Sequence, residues 1–399
     1  MTFAYFDHNA STPVHPDVFR AMEPYLKERF GNASCLYRLG VEAGYALEKS
    51  RMQVARLIGA SPEEIIFTSG GTEADNLALK GVVLAAGKRH IVTSNIEHPA
   101  VLQTCGFLER YLDCRVAYLP VNGEGRVDPQ EVEQAIANDT AIVSIMAANN
   151  EIGTLQPIQE IAAIARRCGT VFHTDAVQAA GKIPIDVNEL GVDLLSLSGH
   201  KIYGPKGVGA LYVRRGTPLV SQTQGGSHED GRRAGTENVP GIVGMGKAAE
   251  LARQKITQRA EHAERLIRRL WEQLFSLPFP LLRNSPAQGG LPGTLNISLP
   301  GIDARELVRA MDAEGFGIAS GSACSSGKSA PSYVVKALGR SDAEALAAIR
   351  ISLGESNREE EIDRFVETLL RVWERVRFIS QGNLGLTFGN GQAVMPPSM

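Results

Sequence analysis

The sequence predicts an α/β protein, with a large unit built on a mostly parallel sheet flanked by helices and a smaller α/β unit towards the C-terminus. Three observations carry this. Short apolar runs alternate with helical patterns between residues 65 and 213, the rhythm of strand–helix–strand crossovers. The runs are almost continuously apolar, as in strands covered on both faces. After about residue 255 a heavily charged helical run gives way to a second, sparser alternation of strand and helix, enough for a compact domain of its own.

In chain order, residues 1–14 read as a short extended piece ending in Asn9-Ala10-Ser11-Thr12-Pro13. His15-Pro16-Asp17 then opens a helix through Val18, Met22 and Leu26, because proline fits a first turn. Gly31-Asn32-Ala33-Ser34-Cys35 is a small polar loop. Strands are expected at 65–68, 90–93, 115–119, 141–146, 171–174, 194–197 and 209–213. Asp128-Pro129-Gln130-Glu131 starts one intervening helix with a capping box. Another begins near Pro157, puts Ile158, Ile161, Ala165 and Cys168 on one face and stops at Gly169, which assigns Cys168 to the core. Beyond 255 the pattern gives a helix at 260–274, strands at 293–299, 316–319 and 349–353, and a helix at 303–314. The domains expected are therefore 15–255, and 1–14 together with 256–378. Residues 379–399, rich in Gly, Asn and Pro, are expected to be a flexible tail.

A chain of 399 residues, 43% hydrophobic and 21% charged, with a formal net charge of −3, carries no basic excess to draw nucleic acid or an anionic membrane. No segment reads as a membrane span or a secretory signal, so a cytoplasmic location and a small-molecule or protein partner are expected. Cys35, Cys105, Cys114, Cys168 and Cys324 are odd in number and lack the short paired spacing of metal sites, so neither a disulfide framework nor a metal is expected. Cys105 and Cys114 fall near a helical pattern and are assigned to packing.

Three motifs carry chemistry. The apolar run ending at Ser198 leads through Gly199 and His200 into Lys201, with Gly204-Pro205 behind it. A partly buried lysine loses proton affinity and attacks carbonyls; a lysine snorkelling beside a turn is the simpler alternative. Ser69-Gly70-Gly71-Thr72-Glu73-Ala74-Asp75 follows a strand and opens a helix, where glycines and free amides favour an anion such as phosphate. Its Thr72 and Asp75 stand at capping-box spacing. In His173-Thr174-Asp175-Ala176-Val177-Gln178 the carboxylate of Asp175 lies at a strand's carboxyl end, where open α/β sheets place ligands, although a helix N-cap is the plain reading. A carboxylate, a glutamine three residues on and a strand-end lysine together make the set a pyridoxal phosphate site needs, because the carboxylate keeps the ring nitrogen protonated.

These motifs, with Glu97-His98-Pro99-Ala100-Val101-Leu102, Ala148-Asn149-Asn150-Glu151-Ile152-Gly153, Arg232 to Asn238 and Ser320-Gly321-Ser322-Ala323-Cys324-Ser325-Ser326, resemble the cysteine desulfurases of the NifS/IscS type. Those are class V, fold-type I pyridoxal phosphate enzymes, and the resemblance runs from about Tyr5 to about Arg377. It implies that Lys201 carries the cofactor through its amine and later moves protons. Asp175 would pair with the ring nitrogen, Gln178 with the ring hydroxyl, and His98 would stack on the ring. Gly71, Thr72, Ser198 and His200 would hold the phosphate, with Thr236 reaching that of a neighbouring subunit, so a homodimer is implied. Asn150 and Arg350 would hold the substrate carboxylate, for which a guanidinium fork is suited.

Cys324 separates this reading from a plain aminotransferase, which has no need of it. The resemblance implies that its thiolate attacks the sulfur of L-cysteine, leaving a persulfide on Cys324 and releasing alanine, with His98 managing a thiol proton. The sulfur would pass to an acceptor or iron–sulfur scaffold protein. Selenocysteine lyase shares the cofactor site and stays open as an alternative. A dinucleotide-binding protein does not fit, since Gly-x-Gly-x-x-Gly spacing is missing after the strand at 65–68. The early loop departs from relatives at Cys35 and Tyr37, where a serine and a histidine are usual.

Overall fold

The protein, seen as a computed structural model, is described over residues 3–321 and 330–383. Its elements begin with β1 (Ala4–Tyr5), α1 (Pro16–Lys27) and α2 (Arg38–Leu57). There follow β2 (Ile65–Thr68), α3 (Gly71–Ala86), β3 (His90–Ser94), α4 (Pro99–Leu112), β4 (Arg115–Leu119), α5 (Pro129–Ala135) and β5 (Thr140–Ser144). The alternation continues with α6 (Ile158–Arg167), β6 (Val171–Asp175), α7 (Val187–Leu190), β7 (Leu194–Ser198) and β8 (Gly209–Val213). Every residue of β2, β3, β5, β7 and β8 is buried, which is why these strands read as unbroken apolar runs.

Among the described residues these strands form a sheet in the order β2-β8-β7-β6-β5-β3-β4. From β7 to β4 all neighbours are parallel; β8 alone runs against β7 and β2. The mostly parallel, helix-flanked α/β fold is thus the observed one. Its consequence for function is directional, because β2, β3, β5, β6 and β7 all point their carboxyl ends to one side.

The remaining elements are α8 (Val239–Phe275), β9 (Leu282–Arg283), β10 (Thr294–Ser298), α9 (Ala304–Ala313), β11 (Phe316–Gly317) and β12 (Ala319–Ser320). Last come α10 (Tyr333–Ala337), α11 (Asp342–Leu346), β13 (Ala348–Ser352) and α12 (Glu359–Asn383). An antiparallel sheet in the order β12-β13-β10-β9 packs over a second core that holds Leu295, Ile297, Ile349, Ile351 and Phe365. The N-terminal piece joins this core: β1 pairs with β11, and the Phe6 ring lies 5.8 Å from that of Phe316 and 5.2 Å from that of Phe365.

Four local expectations need correction. The strand expected at 316–319 is two short ones in different sheets, since β11 pairs with β1 and β12 with β13. The helix expected at 260–274 is the second half of α8, a helix of 37 residues that runs unbroken through residue 255. Glycines in its first half disguised it, because glycine disfavours helix. They are there for contact: a Cβ on Gly244 would lie 2.6 Å from Met22 Sδ, and one on Gly246 2.7 Å from the Ser50 backbone. Cys168 is exposed rather than core, because α6 ends at Arg167 and Cys168 is its C-cap; Cys105 and Cys114 are buried as expected. Finally, residues 379–383, expected within the tail, belong to α12; residues 384–399 lie outside the described residues, as does Cys324. Among the described residues no helix is long and apolar enough to cross a membrane.

Candidate active site

The carboxyl ends of five parallel strands converge on one cleft. Gly71, Thr72, His98, Asn150, Asp175, Gln178, Ser198, His200, Lys201 and Arg350 all line a cavity of about 390 Å³, together with Asn9 and Asp75. Each strand delivers its residue at the turn where the chain leaves the sheet, so residues far apart in sequence meet there. Thr236 is not among them; it lies on a larger surface hollow of about 1020 Å³ with Asn32, Tyr45 and His228. That hollow lacks Lys201 and Asp175 and is not the chemical site.

On one wall of the cleft α3 begins at Gly71, with Gly70 as its N-cap and no side-chain cap. The capping box expected between Thr72 and Asp75 is therefore absent, because the helix starts before Thr72. Asp75 instead turns inward and is buried. The free amides of this first turn face the cleft, which suits an anion. A Cβ on Gly71 would lie 2.6 Å from Val177 Cγ2, so no larger residue fits between α3 and the turn after β6. Glu73 accepts from the Ser69 N–H at 2.7 Å and pairs with Arg233.

On the opposite wall the Lys201 amine donates to the main-chain oxygens of Asn9 at 2.5 Å and Ala10 at 2.8 Å. Gln178 Nε2 also donates to Asn9 O at 2.9 Å. Arg350 Nη1 donates to Asn150 O at 3.0 Å, and Nη2 to Asp7 Oδ1 at 2.6 Å. The structural partner for a buried arginine is thus Asp7, yet Arg350 Nε and Asn150 Oδ1 are buried without a hydrogen bond. Asn9 and Asp7 escaped the sequence reading. The only trace of them was a cluster of polar residues, Asp7 to Thr12, in the short extended piece that the sequence assigned to the smaller domain.

Residues 4–365 match the family described as aminotransferase class-V. The chain belongs to the class-V aminotransferase family. Within it, "Cysteine desulfurase IscS" of Dictyoglomus turgidum is 46% identical over 378 residues, covering 94% of this chain and 96% of that protein. "Cysteine desulfurase IscS" of Methanosarcina thermophila is 46% identical, covering 94% and 93%. Among solved structures, a "NIFS-LIKE PROTEIN" superposes with a TM-score of 0.88 at 39% identity, covering 94% of this chain and all of that one. "SspA in complex with cysteine" superposes at 0.77 and 39% identity, covering 88% and 98%. The resemblance to NifS/IscS-type cysteine desulfurases therefore holds along nearly the whole chain.

The cofactor of this class-V family is pyridoxal phosphate, and the cleft suits it. An amine, an anion-binding helix start and a buried carboxylate surround a space that is lined in part by Asn150, whose Oδ1 is buried without a hydrogen bond. Burial raises both Asp175 and Asp75, but Asp75 is also pressed by the charge of Asp175. Asp175 is eased by His98, the Val177 N–H and Lys201. Asp75, opposed only by the Ser196 hydroxyl, is the more strongly raised of the two. His98 caps α4, its Nδ1 accepting from the Ala100 N–H at 3.1 Å, so its own proton sits on Nε2. Burial, aided by Lys201, holds this imidazole below its ordinary value. His98 thus caps α4 and also lines the cleft. Burial next to Lys201 and Lys206 drives His200 down to about 4.

Proposed function

We propose that this protein is a pyridoxal phosphate-dependent cysteine desulfurase that converts L-cysteine to L-alanine and delivers the sulfur as a persulfide on Cys324. The observation that carries the reading is the convergence of Lys201, Asp175 and His98 on one cleft. Gly71, Thr72, Ser198 and His200 would hold the cofactor's phosphate, Asp175 its ring nitrogen, Gln178 its ring hydroxyl and Lys201 its aldehyde carbon. When bound, the cofactor supplies a cationic ring that takes up the electron pair released at the substrate Cα.

The protein's own residues do the rest. Arg350 and Asn150 bind the carboxylate of L-cysteine, for which Arg350 must share or give up its contact with Asp7. The Lys201 amine takes the Cα proton. His98, neutral with its proton on Nε2, serves the thiol protons. The Cys324 thiolate attacks the substrate sulfur; the S–S bond forms as the C–S bond breaks, so L-cysteine and the enzyme thiol become alanine and the enzyme persulfide. Cys324 lies outside the described residues, and its role rests on the motif that carries it.

A homodimer fits the same reading. Thr236 lies away from its own cleft, where a residue serving a neighbouring subunit's phosphate would be. Tyr45, which shares that hollow, is 75% exposed, and Phe30 and Leu36 are 73% and 96% exposed, apolar surface that a second copy would cover. A cytoplasmic enzyme feeding an iron–sulfur scaffold or another sulfur acceptor completes the proposal. Two cores, one on each half of α8, support a division into 15–255 and 1–14 with 256–378.

The test is spectroscopic. The pure protein is expected to show a Schiff-base band that changes on adding L-cysteine, with sulfide released. Cys324→Ala should keep the band and lose sulfide release; a protein without the band would end the cofactor reading. Full activity in Cys324→Ala would end the desulfurase one. A strong preference for selenocysteine over cysteine would favour selenocysteine lyase.

A further inference from the structure

Behind Lys201 lies a second lysine that the mechanism above does not use. Lys182 reaches in from the turn after β6, and its Nζ donates to Asn9 Oδ1 at 2.6 Å and to Gln178 Oε1 at 3.0 Å. An amine on two amide oxygens settles which way both amides face, because lysine brings N–H groups to each. Asn9 Nδ2 is turned to Asn150 O at 3.2 Å and Thr294 Oγ1 at 3.0 Å. Gln178 Nε2 is turned to Asn9 O at 2.9 Å, which uses one of its two N–H groups and leaves the other for the cleft that Gln178 lines.

We infer that Lys182 is a positioning residue of this site: it locks the Gln178 carboxamide so that the cleft meets an N–H donor and not a carbonyl oxygen. The inference rests on the reading of the cleft as a pyridoxal phosphate site and deepens it. A ring oxygen that is ionised needs a donor beside it, and a flipped Gln178 would put an acceptor there. Lys182 holds the oxygen end of this carboxamide and the Asn9 main-chain oxygen its nitrogen end, so without Lys182 one of the two contacts that set the orientation is gone. Burial beside Lys201 and Arg350 lowers the proton affinity of Lys182. The lock survives this, since a neutral amine still has an N–H for each of the two oxygens.

The test is a double-mutant cycle on the holoenzyme, read by the visible absorption maximum and by the dissociation constant of pyridoxal phosphate. Gln178→Leu is expected to shift the band and weaken the cofactor about 10-fold, the size of one lost hydrogen bond to an anion. Lys182→Met should shift the band in the same direction and weaken the cofactor by a similar factor. The Lys182→Met/Gln178→Leu double variant should then be no worse than Gln178→Leu. Lys182→Gln, which keeps one donor, should lie between Lys182→Met and the unmodified protein, and it replaces Lys182→Met if that variant does not fold. Independent, multiplying effects would overturn the inference, as would a band that no change at Lys182 moves. A wild-type protein with no band at all would overturn instead the reading on which it rests.

Discussion

The Lys201 amine lies 2.5 Å from the main-chain oxygen of Asn9, a residue 192 positions earlier in the chain. The same Asn9 binds Lys182, Asn150 and Thr294 through its side chain, and its N–H donates to Ser352 Oγ at 2.9 Å. A segment that packs with the C-terminal core therefore forms one wall of a cleft built on the large sheet. The wall ties the two cores together at the place where chemistry is to happen.

Asn9→Ala keeps the main-chain oxygen but removes these side-chain bonds. Because Lys182 then loses one of its two acceptors, a loss of about 2 kcal/mol in stability is expected, together with a lower kcat/KM for cysteine. Urea denaturation and steady-state kinetics measure the two, and a variant as stable as the parent would contradict the hub.

Arg350→Lys is expected to behave almost as badly as Arg350→Ala. A lysine cannot reproduce a fork that reaches both Asn150 O and Asp7, nor grip a carboxylate with two parallel bonds. KM for L-cysteine should rise about 100-fold, corresponding to a loss of about 3 kcal/mol in a charged hydrogen-bonded contact. A KM near the parent value in Arg350→Lys would remove Arg350 from the substrate site.

His98→Asn separates two duties of one residue. Asparagine is a good N-cap, so the bond to the Ala100 N–H, and with it α4, should be kept, and the melting temperature should stay close to that of the parent. Activity should fall by about 100-fold, the usual worth of a proton-handling group. Loss of stability with activity intact would leave His98 as a cap alone.

Glu97 gives a prediction about pH. It is fully buried, its Oε1 accepting from Ser94 Oγ at 2.6 Å and the Met146 N–H at 3.0 Å, while Oε2 has no hydrogen bond. Burial raises its carboxyl from 4.5 to about 8. Between these values the folded protein holds a proton that the unfolded chain has released, so the contribution of Glu97 to stability is full below 4.5 and is lost as pH rises towards about 8. Glu97→Gln has no proton to lose, so its stability relative to the parent should improve by about 4 kcal/mol from about pH 5 to about pH 8. Denaturant midpoints across that range check it, and a difference independent of pH would refute it.

Much of the large sheet and its rim is legible in the residue pattern alone. Strands buried on both faces announce themselves as apolar runs, and their carboxyl ends carry Asp175, Lys201 and the glycines at the start of α3. The misreadings share a cause. The first half of α8 hid behind glycines whose purpose is the close approach of Met22 and Ser50, and Asp75 was taken for part of a cap when the helix in fact starts before Thr72. Cys168 kept the spacing of a core face but fell one residue past the end of its helix.

What local residue pattern encodes here is the sheet, its direction and the identity of the groups at its rim, because burial and turn chemistry act on neighbours in sequence. The partners of those groups are a different matter. That Asp7 would meet Arg350, that Asn9 would bridge Lys201 and Lys182, and that Asp75 would be buried within reach of the charge of Asp175 all depend on distances between segments far apart in the chain. Such distances exist only once both cores have packed around α8, and no periodicity records them.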